Sequence, residues 1–100
     1  MVQTKLIREA DEHGTIRYKL NGLYHRTDGP AIVYLDGPHI WCLNGKWHRE
    51  DGPAYIGANG THVWYLNDRY YSFDDYCKEL RLTDEEIVFL KLKYNICIPV

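Results

Sequence analysis

Apolar and polar residues alternate over Ile16-Arg17-Tyr18-Lys19-Leu20, the period of a half-buried strand, and Asn21-Gly22 follows at once. Asn-Gly favours a two-residue hairpin, because both central residues of a type I′ turn need positive φ. The chain is then expected to return through residues 23–26 and to turn at Asp28-Gly29-Pro30. Pro30, which has no N–H, is unsuited to a central ladder position. A further strand is expected over residues 31–35, with a turn at Asp36-Gly37. The order recurs with Asn44-Gly45, Asp51-Gly52-Pro53 and Asn59-Gly60. Turns spaced about every eight to twelve residues predict an antiparallel β-meander.

The recurrence has a fixed period of 23 residues: Gly14, Gly37 and Gly60 fall in step, as do Tyr18, Trp41 and Trp64, and Asn21, Asn44 and Asn67. Units 14–36 and 37–59 share ten identical residues, and the unit that opens at Gly60 changes character after Tyr71. A short fixed period implies one supersecondary unit stacked on copies of itself. Two-residue Asn-Gly loops set the register, so Leu20 faces Leu23, Lys19 faces Tyr24 and Tyr18 faces His25. By the same count Trp41 faces His48, and Trp64 faces Tyr71.

Side chains alternate across a pleat. Ile16, Tyr18, Leu20, Leu23 and His25 therefore fall on a first face, and Arg17, Lys19, Tyr24 and Arg26 on a second. Two aromatic rows follow, Tyr18/Trp41/Trp64 and Tyr24/Trp47/Tyr70. A sheet with large rings on both faces needs cover, or a partner, on both sides.

Beyond Tyr71 the apolar period lengthens. Ser72 is placed to cap a helix in which Phe73, Tyr76, Cys77 and Leu80 recur at helical spacing. Thr83 stands three residues before Glu86, a capping-box pattern that opens a second helix over Asp84–Lys93. Ile87, Val88, Leu90 and Tyr94 are its expected docking residues, and Lys91 and Lys93 suit its C-terminal dipole. An additional edge strand is expected over residues 2–8, and a strand or tail over 96–100. The expected architecture is α+β. One domain spans residues 1–100, with a repeat sheet over 1–71 and a helical cap and tail over 72–100.

The unit LNGxxHRxDGPA, at residues 20–31 and 43–54, together with the 23-residue period and the aromatic before each hairpin, resembles a variant of MORN-type repeats. Chains with tandem copies of this variant are similar to small phage and bacterial proteins. The unit departs from the usual YxGxxxxGxxHGxG pattern, so lipid-binding and junction-scaffold roles are not carried over. The resemblance implies β-hairpin arrays used for binding. Its expected setting is a phage accessory protein that engages or inhibits a host protein in the host cytoplasm.

Twelve Lys and Arg against fourteen Asp and Glu give a net charge of −2 with the signs interspersed, unlike a general nucleic-acid or membrane-surface binder. The longest apolar runs, such as residues 87–90, are too short to span a bilayer. Cys42, Cys77 and Cys97 form no CxxC pair and follow no signal-peptide pattern, so reduced thiols in a cytoplasm are expected. Ser72 is the only serine, the acidic pairs fall in helix first turns, and no glycine-rich phosphate loop is present. No catalytic residues, cofactor or metal are expected. The histidine rows His25/His48 and His39/His62 lack an accompanying carboxylate or thiolate row.

Nine Tyr, three Trp and two Phe direct attention to surfaces. The expected partner-binding set is Tyr24, Trp47 and Tyr70 with Arg17, Arg26 and Arg49 on the second face, since aromatics interleaved with Arg form protein hot spots. An alternative is a small, nucleotide-like anion held by His25, Arg26, His48 and Arg49, in a homo-oligomer that supplies the missing depth. A third is self-assembly through sheet edges or the second face. A structural reading competes at the two HRxDGP segments, where Asp28 and Asp51 set their turns and pair with a neighbouring Arg or His.

Overall fold

A computed structural model describes residues 5–96, and all structural statements concern them. The chain is an antiparallel, sheet-rich α+β fold with two short C-terminal helices. Its strands are β1 (Leu6–Ala10), β2 (Ile16–Leu20), β3 (Leu23–Tyr24), β4 (Ile32–Val33), β5 (His39–Ile40), β6 (Cys42–Leu43), β7 (Lys46–Trp47), β8 (Tyr55–Ile56), β9 (His62–Leu66) and β10 (Arg69–Tyr71). The helices are α1 (Phe73–Glu79) and α2 (Asp84–Lys93). The molecule measures 52 × 34 × 19 Å, a thin slab.

The hairpin registers follow the Asn-Gly count. Lys19 pairs with Tyr24, Leu20 with Leu23, Cys42 with Trp47 and Trp64 with Tyr71. Asn21 and Gly22 have φ of 53° and 80°, and Asn44 and Gly45 have 51° and 81°, the pair of positive angles the turn needs. The backbone N–H groups of His25 and His48 donate to the carbonyls of Tyr18 and Trp41, extending each hairpin by one rung.

The Asp-Gly-Pro segments behave differently from the expected reversing turns. β4 is antiparallel to β2, as β3 is, so the chain keeps its direction between β3 and β4. Leu20 and Lys19 of β2 pair with β3, while Arg17 and Ile16 of the same strand pair with β4. Each return strand is thus broken in two by an excursion over His-Arg-x-Asp-Gly-Pro. The broken strand also explains why β3 and β4 hold two residues each, where longer runs were expected.

The excursion leaves neighbouring units joined by two seams. Ala31 accepts from the Tyr18 N–H at 2.8 Å and donates to the Ile40 carbonyl at 2.8 Å, and Ala54 accepts from the Trp41 N–H at 2.7 Å. Further out, Gly45 N–H donates to the Tyr24 carbonyl and Asp68 N–H to that of Trp47. Ala31 and Ala54 are fully buried, leaving no room for a larger side chain between the seams.

β1 begins at Leu6, is exposed throughout and pairs along the whole of β2. The Asp11 carboxylate closes the intervening turn by accepting from the N–H groups of His13 and Thr15. Residues 2–4 and 97–100 of the expected terminal segments lie outside the described residues.

Both helices start where their caps predict. Ser72 Oγ accepts from the Asp75 N–H, and Thr83 and Glu86 form a reciprocal capping box at 3.2 and 2.9 Å. Together they cover the first face at the third unit. Trp64, Leu66, Tyr76, Cys77, Leu90 and Tyr94 are buried there, with Phe73, Leu80, Leu82 and Ile87 around them. Val88 departs from its expected docking role and is 47% exposed. At about 100° per residue it lies far round the helix from Leu90, on the outer side. No helix among the described residues is long and apolar enough to cross a membrane.

Candidate functional site

Each ring of the first aromatic row has a cover. The Arg26 guanidinium lies 4.1 Å from the centre of the Tyr18 ring, and that of Arg49 lies 3.9 Å from Trp41. Trp64 is enclosed by Phe73, Tyr76 and Tyr94 at ring separations of 4.8 to 5.8 Å. Arg26 and Arg49 therefore sit on the first face, whereas alternation placed them on the second. Period-two counting lapses because the chain leaves the strand after His25 and His48, and each guanidinium folds back over its own hairpin.

The arginines are held by their own excursions. Arg26 donates from Nε to Asp28 at 2.8 Å and from Nη1 to the Pro30 carbonyl at 3.2 Å. Arg49 repeats both contacts with Asp51 at 2.9 Å and Pro53 at 3.1 Å. The bond from Arg26 holds the Asp28 carboxyl below the usual carboxylate range. Gly52 is demanded by this packing, since a Cβ there would meet Tyr94 Oη at 2.6 Å and Arg49 Cζ at 2.7 Å.

His25 and His48 are also committed. Nδ1 of His25 accepts from the Asn44 N–H, and Nδ1 of His48 from the Asn67 N–H, both at 3.0 Å. These bonds place the neutral-ring proton on Nε2. In His48 that atom lies 3.0 Å from Glu50 Oε2. Three of the four residues expected to hold an anion, Arg26, His48 and Arg49, line one cleft of about 570 Å³ floored by Trp41 and Leu43. Asp28, Glu50 and Asp51 line the same cleft. Two arginines against three carboxylates leave it without net positive charge, and His25 lies outside its lining.

The second face carries Arg17, Tyr24, Trp47 and Tyr70 as expected. Tyr55 and Tyr65 join them, in register with Ile40 and Tyr70. Trp47 stacks on Tyr55 at 5.8 Å and meets Tyr65 edge-on at 5.0 Å, and Tyr65 meets Tyr70 at 6.0 Å. The strip runs from a half-buried base to an exposed tip. Tyr24, Trp47 and Tyr55 pack against Ile32, Ile40 and the buried Cys42, while Tyr70 is 63% exposed. Lys19 lies 5.5 Å from the Tyr24 ring, and Arg17 is bound to Asp11 at 2.9 Å. Of the two tyrosines missed in the sequence, Tyr65 was readable there, since it faces Tyr70 across Asn67-Asp68 by the same hairpin count.

Burial pushes the Cys42 thiol up to about 11 and raises Cys77 as well. Among the described residues, no three His, Cys, Asp or Glu side chains come close enough to hold a metal ion.

No protein family, curated protein or solved structure matches this chain. Its geometry alone therefore bears on what it does. The two sheet faces differ in kind: one has every ring of its row covered from within the chain, and the other presents a contiguous aromatic strip with neither helix over it.

Proposed function

We propose that this protein is a non-enzymatic binding protein, an array of MORN-like 23-residue hairpin units ended by two helices, whose second sheet face docks on a host or cognate protein. The observation that carries this reading is the contrast between covered and uncovered rings. Tyr24, Trp47, Tyr55, Tyr65 and Tyr70 form a strip whose inner end is anchored and whose outer end is exposed. Such rigid, amphipathic rings supply contact area at small entropic cost, and a half-buried aromatic strip that ends in the exposed Tyr70 and is rimmed by Arg17 and Lys19 has the make-up of an interface. Arg26 and Arg49 have no part in it, because they are stacked on the opposite face. The mixed charge of the cleft between the two excursions gives the anion-binding alternative no support. The Cys42 thiol is shifted in the wrong direction for a nucleophile.

The test is site-specific photo-crosslinking in cells of the natural host. A benzophenone side chain is placed at Tyr70 and, as control, at the exposed turn residue Glu12. The expected result is one defined heteromeric adduct from position 70 and none from position 12. Self-adducts alone, the same adducts at both positions, or none at either would each overturn the proposal.

A further inference from the structure

Between its acidic first turn and its basic last turn, α2 points Ile87, Val88, Phe89, Leu90 and Leu92 to nearly every side. A helix of that kind is ordinarily buried on all sides. Here only one side is. Leu90 is buried and Ile87 half-buried against the body, whereas Val88, Phe89 and Leu92 are 47%, 61% and 68% exposed. Phe89 forms a ridge between two shallow clefts. One, of about 450 Å³, is lined by Asp84, Glu85, Val88 and Leu92; the other, of about 340 Å³, by Leu82, Glu86 and Leu90 with Glu50 and Asp51.

The charges flanking this stripe are divided along the helix. Asp84, Glu85 and Glu86 occupy the first turn, and Lys91 and Lys93 the last. Asp84 and Lys91 stand seven residues apart and so share one flank, and Glu86 and Lys93 share the other in the same way. When two such helices cross antiparallel about a twofold axis near Val88 and Phe89, each acidic turn meets the basic turn of the other copy. Both flanks are then complementary, the helix dipoles oppose, and Phe89 of each copy faces the cleft beside Val88 and Leu92. A parallel arrangement would set acid against acid and base against base.

From this self-complementarity we infer that the outer stripe of α2 pairs with the same stripe of a second copy, in an antiparallel, isologous contact. The surface is separate from the second sheet face, so partner binding there and pairing here stand or fall independently. A helix of ten residues is about 15 Å long. Its contact area is below the roughly 1,200 Å² of a stable interface, so the association is expected to be weak and concentration-dependent.

Sedimentation velocity of the full chain from micromolar to millimolar concentration tests the inference. The wild type should shift from monomer to dimer, and Phe89→Glu should weaken the dimer about tenfold or more while leaving the circular-dichroism spectrum unchanged. A charge-swap pair tests the orientation. Lys91→Glu and Asp84→Lys should each fail to self-associate, yet dimerise when mixed. A wild type monomeric throughout, a dimer indifferent to Phe89→Glu, or charge variants that fail to rescue one another would overturn it.

Discussion

The second and third units place a tryptophan at the same point of the period and cover it in two ways. Trp41 is covered by Arg49, one side chain from its own excursion, pinned by Asp51 and the Pro53 carbonyl. Trp64 is covered by two helices. The divergence is local in sequence. His48-Arg49 of the second unit corresponds to Tyr71-Ser72 of the third, and where the arginine would fold back, Ser72 instead caps α1. An arginine cover meets the ring with a single cation–π contact and adds no further layer to the sheet. A helical cover builds a thicker core on that face. The two solutions are joined at one point, where Tyr76 Oη donates to the Arg49 carbonyl at 2.6 Å and also meets Gly52.

Removing the rings should separate the two covers most clearly. Trp64→Ala is expected to cost about 3–5 kcal/mol, as for a large aromatic lost from a core. Trp41→Ala, at a half-buried position, is expected to cost less than half as much. Chemical denaturation of the two variants gives the ratio, and equal losses would mean that an arginine covers a ring as effectively as a helix pair.

Cutting the joint comes next. Tyr76→Phe keeps the packing but strips the Arg49 carbonyl of its buried donor, for about 1–3 kcal/mol. If the joint couples the two regions, double-mutant cycles of Tyr76→Phe with Trp41→Ala should be non-additive. Gly52→Ala should follow, at about 1–2 kcal/mol, the lower part of the overpacking range, because the added Cβ meets both Tyr94 and Arg49. Gly29→Ala is the matched control from the first unit. Its nearest neighbour would be Arg26 at 3.0 Å with no helix behind it, so thermal melts should show a smaller loss.

The smallest expected effect is on pH dependence. Asp28 under the arginine cover and Glu86 in the helix cap both have carboxyls held below their ordinary values, by the Arg26 bond and by the Thr83 backbone bond respectively. A folded-state value below the unfolded one gives stability that is present at neutral pH and lost as pH falls through the carboxylate range. Asp28→Asn and Glu86→Gln should each flatten the fall in melting temperature on acidification. A slope unchanged in either variant would show that the corresponding bond contributes nothing in solution.

The sequence made the hairpins and caps legible because their determinants are local. Asn-Gly fixes a register within four residues, and Ser72 and Thr83 satisfy N–H groups three residues on. It did not reveal the broken return strands, since Asp-Gly-Pro marks a departure from the ladder without saying whether the chain reverses. In the structure Arg26 and Arg49 hold the excursion together and lie over Tyr18 and Trp41 of the outgoing side of the hairpin. The same departure moved both arginines off the face that alternation gave them. Four of the six residues expected at the candidate interface share one face, and Tyr55 and Tyr65 complete the strip. The outer stripe of α2 was hidden for another reason: in a helix with apolar residues on every side, periodicity cannot tell which side meets the body.

His25 meets Asn44 across nineteen positions, and His48 meets Asn67 across the same nineteen. Each of the first two hairpins therefore carries the socket into which the next one plugs. In the third unit tyrosine-serine stands where histidine-arginine stood, so the socket is missing and a helix cap takes its place.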